Sequence, residues 1–243
     1  MSDAYLLVSH GSRDPRPQMA VAKLAQQLSG WFAEFSAVKS PTLVATAQLE
    51  LADKPLHVQI SDFARNCSPC GIKRVLILPL FLISGVHVMD DIPAEVAIAD
   101  RELGDLVELV VAPFLGFHPN FTNLFGQNLS HYSSQTMIIA HGSRRSGGNA
   151  IVEQLASSLN ISVAYWSVSP SLTDTVAASI ATGATEIRIL PYFLFAGGIT
   201  DAIESLVAQL RQQYPQVQLT LGEPIGNSPE LAATIGKILT TLA

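Results

Sequence analysis

Short apolar runs alternate with longer amphipathic segments eight times along the chain, four times in each half. The apolar runs predict buried strands, which we place near residues 4–9, 43–49, 73–82, 106–112, 136–140, 161–168, 186–194 and 216–221. The segments between them carry apolar residues at helical spacing and predict helices near residues 16–35, 55–66, 89–102, 118–131, 148–159, 171–182, 200–213 and 228–242. Strands that alternate with helices form parallel sheets through right-handed crossovers, so the pattern predicts an α/β fold.

The second half of the chain repeats the first. The sequence HGSR follows an apolar run at residues 10–13 and again at residues 141–144. In the same order, residues 78–85 (LPLFLISG) return as residues 190–197 (LPYFLFAG), and the segment that ends at Pro119 returns as the one that ends at Pro229. The repeated unit is too long for a solenoid protein. We therefore predict two similar doubly wound parallel-sheet lobes, residues 1–130 and 131–243, with a cleft between them.

Composition and charge restrict the possible partners. The 243 residues carry a net charge of −6, which argues against a nucleic-acid partner because such proteins need a basic surface. The longest apolar stretch, residues 75–86, contains a proline and is too short to span a bilayer. The first residues lack the basic flank and long apolar core of a signal peptide. We expect a cytoplasmic protein without a membrane partner.

Three residues of the first copy suggest a metal site. His10 follows the first predicted strand, Glu50 the second and His87 the third. Ligands bind at the carboxyl ends of parallel strands, so these side chains should meet at one sheet edge. Two imidazoles and a carboxylate suit a divalent first-row metal and leave coordination positions open. The matching positions of the second copy hold His141, Ser167 and Ile199, so only the first copy is equipped for this chemistry.

The motifs around these residues resemble those of the sirohydrochlorin chelatases, the class II tetrapyrrole chelatases. The similar segments are residues 9–13 (SHGSR), 49–52 (LELA), 79–82 (PLFL), 85–87 (GVH) and 91–93 (DIP). The resemblance covers nearly the whole chain, whose length is similar to the fused two-copy form. It implies an enzyme that inserts a divalent metal into a metal-free tetrapyrrole, with His10 and His87 binding the metal and Glu50 assisting as ligand and catalytic group.

The resemblance also implies an anionic macrocycle with carboxylates around its rim, which calls for charged donors. Arg13, Arg16, Arg144 and Arg145 follow the two HGS turns and suit this role. The predicted substrate-binding residues are Ser9, Gly11, Ser12, Arg13, Gly85, Val86, His141, Ser143 and Arg144. His141 either touches the substrate or supports its turn, and both interpretations stay open.

Other polar residues have simpler interpretations. Asp90 and Asp91 lie at the start of the helix predicted near residues 89–102, and we interpret them as its capping residues. Phe81 is interpreted as a core residue. Cys67 and Cys70 follow a helix, away from the ligand edge, and we favour two inert thiols. A redox-sensitive disulfide and a cluster shared between two chains are the alternatives for this pair.

The metal, assembly and competing functions complete the expectations. We expect no tightly bound cofactor, because the divalent metal is a substrate. Fe²⁺ is favoured, for sirohaem biosynthesis, because the His-rich tail and Cys-rich C-terminus of some cobalt-dedicated long forms are missing; Co²⁺, for cobalamin biosynthesis, is the close alternative. Both lobes lie in one chain, so we expect a monomer. A non-enzymatic divalent-metal carrier is the second hypothesis. A nucleotide- or sugar-phosphate-binding enzyme is disfavoured because neither turn contains a phosphate-binding glycine motif.

Overall fold

The computed structural model describes residues 3–35, 42–127, 135–228 and 230–242. Within these ranges eight strands alternate with eight α-helices, as predicted. The strands are β1 (Asp3–Ser9), β2 (Leu43–Gln48), β3 (Arg74–Pro79), β4 (Glu108–Val111), β5 (Gln135–Ala140), β6 (Ser162–Tyr165), β7 (Glu186–Tyr192) and β8 (Gln218–Leu221). The helices are α1 (Pro15–Phe35), α2 (Leu56–Cys67), α3 (Ile92–Leu103), α4 (Pro119–Gln127), α5 (Ala150–Leu159), α6 (Leu172–Ala181), α7 (Gly198–Gln213) and α8 (Glu230–Leu242).

The strands form two parallel four-stranded sheets with the same order. The first sheet has the order β2-β1-β3-β4 and the second the order β6-β5-β7-β8. The registers also match: Val8 pairs with Pro79 in the first sheet, as Ile139 pairs with Pro191 in the second. The predicted α/β class and the internal repeat are therefore confirmed.

The core of the first sheet lies on both of its faces. Leu6 and Val8 of β1 pack in one cluster with apolar residues of α2 and α3. Side chains alternate across a strand, so Tyr5 points to the opposite face. There its ring stacks on Phe32 of α1, with ring centroids 4.6 Å apart. Because both faces are covered, the strands need almost continuous apolar sequence, which explains the low charged fraction of 14%.

The compact units differ from the predicted lobes. One unit consists of Met1–Phe81, Val86–Phe121 and Pro229–Ala243, and the other of Leu82–Gly85 and Thr122–Ser228, as far as these ranges are described. The predicted boundary between residues 130 and 131 lies outside the described residues. In the observed units α8 belongs to the first, and α4 from Thr122 onward belongs to the second.

Tertiary packing explains this assignment of the two helices. Gly236 of α8 lies against the indole of Trp31 in α1, and a methyl group added there would come within 2.3 Å of the ring. In the second unit, Phe125 of α4 packs edge-on against Tyr192 of β7, with centroids 5.2 Å apart. Each unit therefore contains a helix that the order of the repeat assigns to the other copy.

No helix among the described residues combines the length and apolar character that a membrane crossing requires.

The packing of α8 on α1 predicts opposite effects for two helical glycines. Gly236→Ala should lower the free energy of unfolding by about 1–3 kcal/mol, because the new methyl group overpacks the contact with Trp31. Gly30→Ala is the matched control, since a methyl group at Gly30 in α1 meets nothing within 4 Å. It should raise the stability by about 0.5–1 kcal/mol through helix propensity. Urea unfolding of both variants measures this; equal stabilisation by both would contradict the packing of α8 on Trp31.

Candidate metal centre

The first two ligand positions are fixed by backbone hydrogen bonds beyond the ends of β1 and β2. The Leu49 N–H donates to the Ser9 carbonyl and the Glu50 N–H donates to the His10 carbonyl, both at 2.9 Å. Gly11 follows with a φ of +97°, and a Cβ there would lie 1.9 Å from the Glu50 carbonyl oxygen. Only glycine fits this turn, which holds Glu50 beside His10.

The third ligand position comes from the neighbouring strand. In the order β2-β1-β3-β4, strands β1 and β3 lie side by side at the point where the chain changes direction of winding, which is where such sheets bind ligands. His87 opens a π-helical turn, His87–Asp91, which leads directly into α3. The sequence predicted only a helix near 89–102; the structure adds this wider turn, a feature often found at functional sites.

The three predicted ligands come together. His10, Glu50 and His87 each offer a ligand atom, and these atoms all lie within 4.8 Å of one another. The Nε2 atoms of the two histidines are 3.2 Å apart, and their rings meet edge to face. With metal–nitrogen distances of about 2.1 Å, this separation corresponds to an angle of about 100° at the ion. Two neighbouring ligands of one tetrahedral or octahedral ion have such an angle.

The hydrogen bonds of the two rings determine which nitrogen faces the centre. Nδ1 of His10 lies 3.2 Å from the Gly11 carbonyl oxygen, and Nδ1 of His87 lies 2.7 Å from Oδ2 of Asp91. A carbonyl and a carboxylate accept hydrogen bonds, so a ring with its hydrogen on Nδ1 donates to its partner and keeps the lone pair of Nε2 for a metal ion. In that tautomer the two Nε2 atoms, 3.2 Å apart, can bind one ion between them.

One aromatic ring lies close to both histidines, and three exposed apolar residues are their neighbours or that of Glu50 in the sequence. The Phe81 ring centroid is 6.2 Å from those of both histidines, and its half-buried side chain packs against the core of the first unit. Phe81 is thus a core residue, as interpreted, and also the lateral support of both imidazoles. Leu51, Val86 and Met89, each one or two residues from a ligand, are 57%, 52% and 47% exposed. Sequence reasoning included Val86 but missed Leu51 and Met89.

The other polar residues of the first HGS turn have identifiable partners. The Ser9 hydroxyl donates to the Ala47 carbonyl at 3.4 Å, and the Ser12 hydroxyl accepts the Asp14 N–H at 3.0 Å. Arg16 donates from Nε to Oδ2 of Asp14 at 3.0 Å, and these hydrogen bonds hold the pKa of Asp14 below its usual value. Arg16 is therefore bound within its own turn. Arg13 is exposed, and Gly85 is half-buried.

The second copy keeps the turn but lacks two of the ligands. The Ser167 N–H donates to the His141 carbonyl at 2.9 Å, as Glu50 does to His10, which confirms the alignment of the copies. The Ser167 hydroxyl also donates to the His141 carbonyl, and Nδ1 of His141 lies 2.9 Å from the Gly142 carbonyl oxygen. Ile199 lies in α7. Across the described ranges, the first copy holds the one cluster of three such ligands.

Two predicted substrate residues of the second copy occupy the same turn. The Ser143 hydroxyl accepts the Arg145 N–H at 3.2 Å, the bond that Ser12 makes in the first copy, and the Arg144 side chain is exposed. A hydroxyl that accepts a hydrogen bond can still donate its own hydrogen. Both serines thus stabilise the turn and keep a donor.

The interpretation of Asp91 as a capping residue is wrong. Asp91 directly precedes α3 but has helical dihedral angles and makes no side-chain capping bond. Its carboxylate instead accepts the Nδ1 hydrogen of His87. No sequence signal separates these two roles, because an aspartate four residues after a histidine at a helix start is compatible with both.

The two cysteines are free thiols at the end of α2. Cys67 is buried and Cys70 is exposed. Burial, with a smaller effect of Cys70, raises the pKa of the Cys67 thiol to about 11. The thiol therefore stays protonated at neutral pH and is a weak nucleophile, in agreement with the inert interpretation of Cys67.

Comparisons with known proteins support a shared origin. A family model described as CbiX matches residues 4–132 and 135–241. The sirohydrochlorin cobaltochelatase of Priestia megaterium is 26% identical over 245 residues, which cover 94% of this chain and 76% of that protein. The sirohydrochlorin ferrochelatase of the same organism is 24% identical over 254 residues, or 99% of this chain and 90% of that protein.

A solved structure, SirB from Bacillus subtilis with Fe3+, superposes with a TM-score of 0.78 at 21% sequence identity. The match covers 100% of this chain and 96% of that one. The two proteins therefore share the fold over the matched residues.

The ligand geometry predicts one divalent-metal site per chain. A titration with Co²⁺ alone, followed by visible absorption, should give one ion per chain. His10→Ala and His87→Ala should each weaken binding by at least about tenfold, because a lost ligand removes more than 1.4 kcal/mol. His141→Ala is the matched control from the second copy and should bind like the wild type. Weaker Co²⁺ binding in His141→Ala together with unchanged binding in His87→Ala would contradict the assignment of the site to the first copy.

Proposed function

The chain belongs to the CbiX family, and from that premise we propose that it is a sirohydrochlorin chelatase, an enzyme that inserts a divalent metal ion into a metal-free tetrapyrrole. The observation that carries the proposal is the meeting of His10, Glu50 and His87 at one sheet edge, with the two Nε2 atoms 3.2 Å apart and all three ligand atoms within 4.8 Å of one another. The curated relatives of this family are named as sirohydrochlorin cobaltochelatase and ferrochelatase.

The ligand set suits an ion that is bound briefly and then passed on. His10 and Glu50 are exposed, and His87 is only half-buried, so the centre is accessible from outside. Two imidazoles and one carboxylate leave coordination positions open for pyrrole nitrogens. These ligands bind Fe²⁺ or Co²⁺ without the tight hold of thiolates. The metal ion is therefore a substrate of the proposed reaction.

Insertion also requires removal of two protons. A divalent ion that enters a metal-free tetrapyrrole displaces two pyrrole N–H protons, so the products are the metallated ring and two protons. As the ion leaves, the Nε2 lone pairs of His10 and His87 and the carboxylate of Glu50 become available as bases. They are the groups placed to accept those protons by general-base catalysis.

The surroundings of the centre fit a flat apolar ring with a charged rim. Leu51, Val86 and Met89, each one or two residues along the chain from a ligand, have exposed apolar side chains. We propose that they contact the face of the macrocycle, together with the backbone at Gly11 and Gly85. The residues proposed to contact the peripheral carboxylates in the first copy are Arg13, Ser12 and Ser9, although the Ser9 hydroxyl already donates to the Ala47 carbonyl. In the second copy they are Arg144, Ser143 and His141.

A metal carrier would use the same ligands but would not need the exposed apolar side chains of Leu51, Val86 and Met89. Large exposed apolar side chains next to a site mark contact with an apolar ligand. These exposed apolar side chains are therefore the reason to favour an enzyme that binds a macrocycle over a protein that only transports the ion. We further propose that the chain works as a monomer, because the three ligands all come from one copy.

An insertion assay with sirohydrochlorin tests the proposal. Addition of Fe²⁺ or Co²⁺ to wild-type protein and sirohydrochlorin should change the macrocycle spectrum to that of the metallated form, faster than without protein. We expect Fe²⁺ to be inserted fastest, with Co²⁺ close to it. His10→Ala and His87→Ala should abolish or nearly abolish insertion, while His141→Ala should keep substantial activity. A carrier would bind the ion and leave the sirohydrochlorin spectrum unchanged.

The proposed contacts of Arg13 and Arg144 with the peripheral carboxylates of the macrocycle predict an effect on substrate binding. Arg13→Ala and Arg144→Ala should each raise KM for sirohydrochlorin more than they change kcat, because the contact exists in both ground and transition states. For exposed charges the loss should be about 1 kcal/mol or less, or at most about fivefold in KM. Arg16→Ala is the matched control, since Arg16 already pairs with Asp14. Unchanged KM values in both variants would show that these arginines do not contact the substrate carboxylates.

A further inference from the structure

We propose that Asp91 is a positioning residue for the metal centre: its carboxylate holds His87 in the tautomer and orientation that direct Nε2 at the ion. The inference rests on the proposed function only in treating His87 as a metal ligand. It adds a residue that touches neither the metal nor the macrocycle and acts through the imidazole alone.

The contact is short and differs from that of the other ligand. Oδ2 of Asp91 lies 2.7 Å from Nδ1 of His87, a distance typical of a charge-assisted hydrogen bond. Nδ1 of His10 has a backbone carbonyl at 3.2 Å instead. The two imidazoles therefore have partners of different charge, and only His87 is backed by an anion in this way.

The local fold holds the pair in place without using the Asp91 carboxylate for the helix. Val88 and Ile92, within and after the π-helical turn, are buried in the first unit and fix the turn to the core. His87 and Asp91, one residue before each of them, are 34% and 46% exposed and face away from that core. Because Asp91 makes no capping bond, its carboxylate serves the histidine rather than the start of α3.

The second copy provides an internal comparison. At the same offset from the repeated LP motif, Ile199 stands in place of His87 and Ile203 in place of Asp91. Ile203 is fully buried in the core of the second unit, on an α-helix that starts at Gly198 without a π-helical turn. The helix therefore forms equally well without an aspartate at this position. The first copy thus has both the histidine and the carboxylate, and the second copy has neither.

The physical effect follows from imidazole chemistry. A neutral histidine without a partner populates two tautomers and several ring orientations, and only some present Nε2 to the ion. A carboxylate on Nδ1 selects the Nδ1–H tautomer, fixes the ring and makes Nε2 a stronger donor. Loss of such a partner costs about 10–100-fold in metal affinity.

The test uses the full-length protein and Co²⁺ alone, without a tetrapyrrole. Binding is followed through the visible d–d absorption of Co²⁺, which reports the ligand field, and folding through thermal unfolding. Asp91→Ala should raise the Kd for Co²⁺ by about 10–100-fold and change the d–d spectrum. Asp91→Asn keeps an acceptor oxygen but no charge, so its Kd should lie between those of the wild type and Asp91→Ala. Asp90→Asn, in the same turn, is the matched control and should behave like the wild type.

Three results would overturn the proposal: a wild-type Kd and spectrum for folded Asp91→Ala, an equal loss in Asp90→Asn, or an Asp91→Asn variant as weak as Asp91→Ala with an unchanged spectrum. If Asp91→Ala does not fold, the comparison of Asp91→Asn with Asp90→Asn decides. The experiment contains no macrocycle, so it is separate from the insertion assay. A protein that shows the expected Co²⁺ series but inserts no metal would refute the proposed function and support the role of Asp91.

Discussion

The hydrogen bond from the Glu50 N–H to the His10 carbonyl is the contact on which the metal centre depends. It continues the pairing of β1 and β2 beyond the ends of the strands, and it forms because Gly11 has no side chain where a Cβ would meet the Glu50 carbonyl. The same bond forms in the second copy between Ser167 and His141. Both copies thus share the backbone geometry of this edge, and the side chains on it differ in whether they can bind a metal ion.

The two copies show how few substitutions separate a reactive centre from a structural turn. In the second copy a serine replaces the carboxylate, and its hydroxyl donates to the backbone of the turn. Isoleucines replace His87 and Asp91, and the second of them joins the core. Each lost polar group is thus replaced by one that stabilises the surrounding structure, so the second copy keeps its fold without the ligands. This division of roles is compatible with a fused chain, in which only one copy needs to carry out the chemistry.

The fold and the ligands could be predicted because they depend on local pattern and on sheet geometry. Alternating strands and helices specify a parallel sheet, and the carboxyl ends of its strands bring His10, Glu50 and His87 together although 77 residues separate the two histidines. The role proposed for Asp91 could not be predicted, because the π-helical turn that contains His87 and Asp91 has no signal in the local sequence. The exposure of Leu51 and Met89 was missed for a similar reason: it is a tertiary property that an apolar residue in the sequence does not reveal.

The assignment of α8 to the first unit and of most of α4 to the second also depends on tertiary contacts and not on local sequence. Repeated motifs define where each copy begins, but the sheet that a terminal helix covers is decided by contacts such as that of Gly236 with Trp31. The three ligands lie in the first unit, and that unit includes α8 from the end of the chain. The face of α1 that contacts α8 would be exposed in the isolated first copy, which ends before this helix begins. The fused chain therefore supplies the first copy with the helix that completes its fold, in addition to a second sheet.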